Sequence, residues 1–375
     1  NIRFRRNKES NLKALTFFIM FLMSMSAMAS NKIYVTQAGA SLVFNVLQDG
    51  DGNKVGNSTT ASTASGSATN FNIDQIGNSN LLTFDIDGDS FTGTFSTTGN
   101  SNNIDFNCDS GSATSGCDSI TASITFTGNS QDIDIDLGNT SSKSADSSTV
   151  SITGASGTDS TVVAATIDGT SAILTLTIAG DSNNYLINID DNGDVNGHTL
   201  IMTQTGITAD VDVVQSGSYD NIATVTTTGD SQNLDINQTA GGTITLVSTG
   251  STASAVKTIN INQTGHAVFT TAGDGLNGAG GSFDIDQTST GTISLDQNGA
   301  SANVSVNQTG TGTITLDLDG ASGTYDIDSL NNSTITLTQD GASANYNILQ
   351  TGGSGDTLIM TQNGASADVD IIQRD

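Results

Sequence analysis

Few side chains in this sequence are suited to catalysis. Cys108 and Cys117 are the only cysteines, and in an exported protein such a pair predicts one disulfide that closes a short surface loop. A metal site built on them would need further ligands, but the only histidines, His198 and His266, lie far away in sequence and have no nucleophile motif around them. The aspartates lie in exposed turns or alternating strands, without an apolar pocket to shift their pKa. We therefore predict that the protein is not an enzyme and has no cofactor.

Two acidic stretches resemble calcium-binding loops. Asp49-Gly-Asp-Gly-Asn53 and Asp190-Asp-Asn-Gly-Asp194 both lack the glycine at the sixth position and the glutamate at the twelfth that an EF-hand requires. We expect only weak, non-specific Ca²⁺ adsorption to the acidic surface and no defined metal site.

The most informative polar residues are glutamines that recur at a nearly fixed period. Toward the end of the chain, four apolar positions recur at a constant interval, and glutamines keep step with them except for Ser329 in one slot. The apolar positions are Phe283, Val304, Tyr325 and Tyr346. Self-similarity at a fixed period of roughly 20–50 residues is the signature of a solenoid or a repeat array.

Each repeat unit reads as two β-strands. Residues 304–308 and 313–317 alternate apolar and polar side chains, as a strand with one buried face does. We predict an all-β fold: a two-sheet parallel β-solenoid built from 21–23 residue strand-turn-strand-turn coils. Each coil should rise by about 4.8 Å, and roughly 15 coils of this length fit from residue 30 onward.

In each strand the glutamines occupy the same alternate positions as the apolar residues, so we expect them to point inward and to be buried. Stacked amides can then donate from rung to rung, because each carries both donors and an acceptor. The predicted ladder consists of Gln37, Gln48, Gln75, Gln204, Gln215, Gln287, Gln297, Gln308, Gln339, Gln350, Gln362 and Gln373. The predicted turn glycines are Gly50, Gly77, Gly217, Gly299, Gly320, Gly341 and Gly364.

Residues 1–29 are predicted to be a signal peptide. Five of the 10 basic residues precede a short apolar run and an Ala-Met-Ala site that ends at Ala29. The repeat domain is then 30–375, with Gly/Ser/Thr-rich loops inserted at 57–70, 107–118, 139–147 and 271–282. We expect a secreted, extracellular or cell-surface protein with no membrane insertion after cleavage.

The strongly negative charge of the chain argues against polyanionic partners. Only one of the 38 acidic residues, Glu9, lies in the first 29, so that residues 30–375 carry 37 aspartates against five basic side chains. Nucleic acid and anionic lipid both require basic patches, so we expect neither as a partner.

The pattern Gln-x-Gly-x-x-Asn, with a second glutamine about eleven residues away, resembles the curlin repeat of bacterial curli. It occurs at 48–53 and 75–80, and the resemblance extends over most of the chain after the leader. It implies an exported amyloid subunit of biofilm fibres whose partners are copies of itself or related subunits. The C-terminal units depart from the pattern because their asparagine comes one residue late.

Two functions follow as hypotheses. The first is a structural protein that self-associates end to end into curli-like extracellular fibres and contributes to adhesion, because nothing in the sequence caps the last strand. The alternative is a monomeric binding module, either an adhesin stalk or an ice-binding solenoid that uses its outward threonine columns.

Overall fold

The protein is a parallel β-solenoid of about 13 turns, seen in a computed structural model. The structure describes residues 31–50, 52–56, 61–77, 79–108, 117–138, 144–155, 157–190, 197–217, 220–250, 257–277, 280–288, 290–299, 302–319, 322–352 and 355–374. The predicted signal peptide and Gly320 lie outside these residues. The predicted fold class is confirmed: no helix occurs in the described part of the chain, and the strands form two stacked parallel sheets.

Sheet 1 has 17 strands. They are β1 (Lys32–Ile33), β2 (Thr36–Ala38), β4 (Lys54–Val55), β5 (Ser62–Ser65), β7 (Leu81–Asp87), β9 (Asn103–Cys108), β11 (Asp132–Leu137), β13 (Val162–Asp168), β15 (Asn183–Asp190), β17 (Ala209–Ser216), β19 (Gln232–Gln238), β21 (Lys257–Thr264), β23 (Gly281–Thr288), β25 (Ala302–Gln308), β27 (Thr324–Leu330), β29 (Asn345–Thr351) and β31 (Asp368–Arg374).

Sheet 2 has 14 strands. They are β3 (Val43–Asp49), β6 (Asn70–Ile76), β8 (Thr92–Thr98), β10 (Thr121–Thr127), β12 (Thr149–Gly154), β14 (Ile173–Ala179), β16 (Thr199–Thr205), β18 (Asn221–Thr228), β20 (Gly242–Thr249), β22 (Ala267–Asn277), β24 (Gly291–Gln297), β26 (Gly312–Leu318), β28 (Ser333–Gln339) and β30 (Thr357–Gln362).

The chain alternates between the sheets, so each strand pairs with the strand one full turn away. Thr292 in β24 thus lies beside Thr313 in β26, and Thr313 lies beside Thr334 in β28. At the first two turns the sheet 1 strand is split, and β7 pairs with both β4 and β5.

The turns in the middle of the chain are longer than the coil length predicted from the C-terminal repeats. Thr92, Thr121 and Thr149 are register partners on consecutive turns, and they lie further apart in sequence than Thr292 and Thr313 do. Inserted segments account for the greater length of these turns.

The core is the narrow space between the sheets. Alternate residues of every strand point into it, and the central rungs are fully enclosed, as at Ile236, Ile244 and Leu246. Toward the start of the chain the core is aromatic, with Phe71 packing edge-on against Phe84 at 4.7 Å between ring centroids. Because one rung contributes only a few apolar side chains, each rung depends on its neighbours for burial.

Candidate self-association site

Five consecutive rungs of sheet 1 place a buried glutamine in one inward column. Each amide after the first donates to the side-chain oxygen of the preceding glutamine, at 3.2, 3.0, 3.4 and 2.8 Å along the series. The column consists of Gln215, Gln238, Gln263, Gln287 and Gln308. Since these side chains are buried, the stack satisfies groups that would otherwise cost about 1–3 kcal/mol each.

The amide group of each glutamine also reaches the opposite sheet. Nε2 of Gln287 donates to the carbonyl of Ala267 at 3.1 Å, and Nε2 of Gln308 to that of Gly291 at 3.2 Å. A side chain at Gly291 would bring its Cβ within 2.7 Å of Gln287 Oε1, and one at Gly312 within 2.6 Å of Gln308 Nε2. The small residues that begin these sheet 2 strands therefore make room for the amides.

Ser329 interrupts the column. Its hydroxyl pairs with that of Ser333 at 2.5 Å, and Gln350 in the next rung donates to the carbonyl and hydroxyl of Ser333 at 2.7 and 3.0 Å. The amide stack resumes one rung later, where Gln373 donates to Gln350 at 3.2 Å. Two serines thus replace one glutamine and one glycine without leaving the Gln350 amide unpaired.

The prediction of a single amide ladder is wrong for the glutamines of sheet 2. Gln48 and Gln75 do stack, at 2.8 Å. The other four donate to turn carbonyls instead: Gln204 to Gly180, Gln297 to Gly299, Gln339 to Gly341 and Gln362 to Gly364. Gln204 and Gln297 have no amide beside them on the adjacent rungs, where Ile178, Thr227 and Leu318 lie. Gln339 and Gln362, by contrast, are register partners and still donate to their own turns.

The expected burial also fails at the ends of the solenoid. Gln362 and Gln373 are exposed and Gln37 is only partly buried, and Gln37 donates to the carbonyl of Gly39 in its own turn. These side chains lie on the first and last described rungs, so no further rung covers them. The alternation of positions along a strand predicts which way a side chain points, but it does not predict whether another rung lies above that side chain.

Sequence reasoning missed two members of the ladder and a second set of buried amides. Gln238 and Gln263 belong to the column, and a period allowed to lengthen slightly would have found them. The asparagine that ends the Gly-x-x-Asn turn has a role as well: Nδ2 of Asn102 donates to the carbonyl of Gly99 at 3.1 Å, and its Oδ1 accepts the backbone N–H of Asn80 at 3.0 Å.

The predicted turn glycines fall into two groups. Gly50, Gly77 and Gly217 have positive φ angles of 130°, 145° and 143°, which favour glycine. Gly299, Gly341 and Gly364 lie in turns as well, but in the last two of these turns the left-handed residue is a serine that follows, with φ of 68° at Ser343 and 67° at Ser366.

The remaining candidate residues are structural in their placement. Cys108 and Cys117 are joined by a disulfide and are buried. His198 is buried, and its Nδ1 accepts the backbone N–H of Ala172 at 3.3 Å. Among the described residues, no group of three or more acidic, cysteine or histidine side chains is arranged to hold a metal ion.

One charged residue is buried that the sequence did not point to. The ammonium group of Lys257 donates to the hydroxyl of Ser248 at 2.8 Å, and the residue is 1% exposed. Desolvation by burial lowers the pKa of this lysine to about 8, although the charge of Asp230 opposes the shift.

The outer surfaces of the two sheets differ in chemistry. Sheet 1 presents columns of aspartate and asparagine, in which Asp105 and Asp134 are neighbours on adjacent rungs. Desolvation and the adjacent carboxylates raise the pKa of both groups. Sheet 2 presents mostly uncharged and β-branched side chains, here called the threonine face, although one of its columns includes Asp296 and Asp317. One of its columns is Thr92, Thr121, Thr149, Ile173, Thr199, Ile222, Thr243, Val268, Thr292, Thr313, Thr334 and Thr357.

Both ends of the described solenoid leave strand edges and core side chains uncovered. β3 pairs only with β6, β30 only with β28 and β31 only with β29 in the part of the chain that the structure describes. Phe44 and Leu358 lie in columns whose inner members are buried, but they are only partly buried themselves.

The two ends carry matching side chains. Followed from rung to rung, the column that begins at Gln37 ends at Gln373, and the column that begins at Gln48 ends at Gln362. Ile33 likewise shares a column with Val369. The last rungs therefore present the same kinds of side chain, in the same columns, as the first rungs.

Comparisons with family models, with characterised proteins and with solved structures found no match for this chain. Within the described residues there is also no helix long and apolar enough to cross a bilayer.

Proposed function

We propose that the protein is an exported structural subunit that associates end to end into extracellular, curli-like fibres of a surface or biofilm matrix and thereby contributes to adhesion. The proposal rests chiefly on the two open ends, whose inward columns match in both sheets. Unpaired edges of parallel strands are templates for pairing with another chain. The leader-like sequence at 1–29 supports export, and the curlin-like spacing of its glutamines supports the class of fibre.

The stacked amides explain why addition of a copy would be favourable. At the exposed end, Gln373 already donates to Gln350, and in sheet 2 the column of Gln362 is the column that begins with the glutamine Gln48. Each added copy would bury apolar surface and pair backbone groups of a kind that make cross-β assemblies stable. The acidic face of sheet 1 opposes side-by-side contact through that sheet, since like charges there would meet.

The test is the state of purified protein comprising residues 30–375. We expect it to form unbranched fibres that bind amyloid dyes and appear in negative-stain images, after a lag that shortens as the concentration rises. Protein that stays monomeric for days at high concentration and binds no dye would contradict the proposal. A matched control is the variant Ile371→Asp, which places a carboxylate in the exposed core of the last rung and should abolish growth.

The threonine face supports a second candidate function, a monomeric module that binds ice or another flat ordered surface. Its columns run in register over most of sheet 2, and Thr313, Thr315 and Thr336 show the paired arrangement. Isoleucine at 173, 201, 222 and 359 interrupts them. Thermal hysteresis in a freezing assay, lost on substituting Thr245 and Thr315 by lysine, would support this function, and its absence would exclude ice as the ligand.

A further inference from the structure

The two sheets have unequal numbers of rungs. β1 and β2 occupy one level of sheet 1, as do β4 and β5, so that its 17 strands fill 15 levels, whereas sheet 2 has 14 strands on 14 levels. The additional level is β31, which extends the first sheet one rung beyond β30. The solenoid therefore ends in a half-turn that has no partner strand opposite it among the described residues.

This inequality matters for assembly. If the first turn of a second copy were simply placed on β31, sheet 1 would continue from β31 to β1 and β2 of that copy. Sheet 2 would then lack one strand between β30 and the β3 of that copy. The gap would leave two strand edges and the facing core side chains of β31 uncovered inside the fibre, at the cost of unpaired backbone groups.

We propose instead that copies of the chain 30–375 join by exchange of a half-turn: β31 of one copy displaces β1 and β2 of the next copy and pairs with its β4 and β5. This inference rests on the proposed end-to-end association and specifies its junction. With the exchange, β30 pairs directly with β3 of the next copy, both sheets run without a gap, and each copy contributes 14 levels to each sheet.

The side chains of β31 fit the place they would take. Val369 lies in the column of Ile33, and Gln373 in the column of Gln37. Ile371 lies in the column of Val35. The position of Val35 in this column follows from its carbonyl, which accepts the backbone N–H of Thr63 on the next rung. The incoming strand thus presents two β-branched apolar residues and a glutamine where two apolar residues and a glutamine leave.

The half-turn that is displaced is the weakest in sheet 1. β1 has two residues and β2 three, whereas β31 pairs along seven consecutive residues. Tyr34, between them, is 50% exposed. Few hydrogen bonds are lost when such a half-turn leaves, and the longer strand restores the bonds to β4 and β5.

Charge favours the same exchange. Lys32 lies directly beside Lys54 in the first two rungs, so two ammonium groups are register partners. In the exchanged junction the residue beside Lys54 is Asp368 of the incoming strand, because Asp368 precedes Val369 as Lys32 precedes Ile33. A like-charge pair is therefore replaced by an opposite-charge pair, which is favourable between neighbouring strands.

Cysteine cross-linking distinguishes the two junctions. In the exchanged junction, Ile372 of one copy lies beside Thr63 of the next, whereas simple stacking places it beside Thr36. Neighbouring strands bring Cα atoms to about 4.8 Å, which suits a disulfide, and a second rung doubles this distance beyond the usual limit of about 7 Å. Ile372→Cys protein is mixed with either Thr63→Cys or Thr36→Cys protein, assembled into fibres and oxidised; each variant alone is the control.

We expect a covalent dimer from the mixture with Thr63→Cys and none from the mixture with Thr36→Cys. A dimer from Thr36→Cys instead, or fibres that give a dimer with neither variant, would overturn the exchange while leaving end-to-end association standing. If unsubstituted protein forms no fibres, the proposed function itself fails and the exchange fails with it.

Discussion

The side-chain amide of Gln308 donates to Oε1 of Gln287 at 2.8 Å, across two rungs that are 21 residues apart in sequence. Gln287 has the same relation to Gln263, so the pair belongs to a run whose inner members each donate to one neighbouring amide and accept from the other. The polar interior of the solenoid is therefore a periodic structure of its own, in register with the backbone ladders on either side.

Removing one amide from this run should be costly. Gln287→Leu keeps the volume but removes the side-chain acceptor of the Gln308 amide and the side-chain donor to the carbonyl of Ala267. We expect the free energy of unfolding to fall by about 1–3 kcal/mol, measured by urea denaturation. The control is Gln362→Leu, whose exposed amide contacts only the carbonyl of Gly364 and which should change stability by less than about 0.5 kcal/mol. Equal losses in the two variants would contradict a structural role for the stack.

The interruption at Ser329 provides the converse test. Ser329→Gln alone should destabilise the protein, because the longer amide would meet Ser333 where the neighbouring rungs have glycine. The double variant Ser329→Gln with Ser333→Gly should recover that loss and exceed the stability of the parent by about 1 kcal/mol, since it completes the hydrogen-bond series. Thermal unfolding of both single variants and the double variant measures the coupling; additive effects would argue against it.

Buried Lys257 should make stability depend on pH. Its pKa is about 8 in the folded protein against 10.5 for the free side chain. The unfolded chain therefore binds more protons between these values, and stability should rise as the pH increases from about 8 to 10. At pH 7 the burial of the charge costs about 3 kcal/mol.

Lys257→Met should accordingly be more stable than the parent at pH 7 and should lose most of the rise between pH 8 and 10. Ser248 keeps a partner in this variant, because its hydroxyl lies 2.8 Å from that of Thr227. The control is Lys54→Met on the first rungs. A parent whose stability is flat over this pH range would contradict the account of Lys257.

The disulfide should stabilise the chain through its short loop. Cys108 and Cys117 are nine residues apart, and the chain-entropy relation gives about 2–3 kcal/mol for a loop of this length. Replacing both cysteines by alanine should lower the thermal midpoint by a corresponding amount, and a reducing agent should have the same effect on the parent but none on the variant. An unchanged midpoint would show that the loop is held without the bond.

Much of the fold could be predicted from the sequence, for a physical reason. Where the repeat is regular, as between Phe283 and Gln350, alternation fixes which side chains point inward and the period fixes which residues are neighbours. Both strands of each unit and the inward direction of Gln287, Gln297 and Gln308 follow from these two facts alone.

The sequence did not show which residue would lie beside each glutamine on the adjacent rungs. Gln204 points inward as the alternation requires, but its column neighbours are Ile178 and Thr227, so its amide turns to a backbone carbonyl. Inserted segments also hid Gln238 and Gln263, because they lengthen the period in that part of the chain. Lys257 was missed since it follows a Ser/Thr-rich stretch that reads as a surface loop.

The axial repeat of the fibres tests the central claim most directly. Fibres of residues 30–375 examined by electron cryo-microscopy should consist of solenoids stacked end to end. With 14 levels per copy and about 4.8 Å per level, the account predicts a subunit repeat of about 67 Å along the fibre axis. Fibres in which flat strands of many copies stack at about 4.8 Å with no longer repeat, or protein that forms no fibres at all, would contradict it.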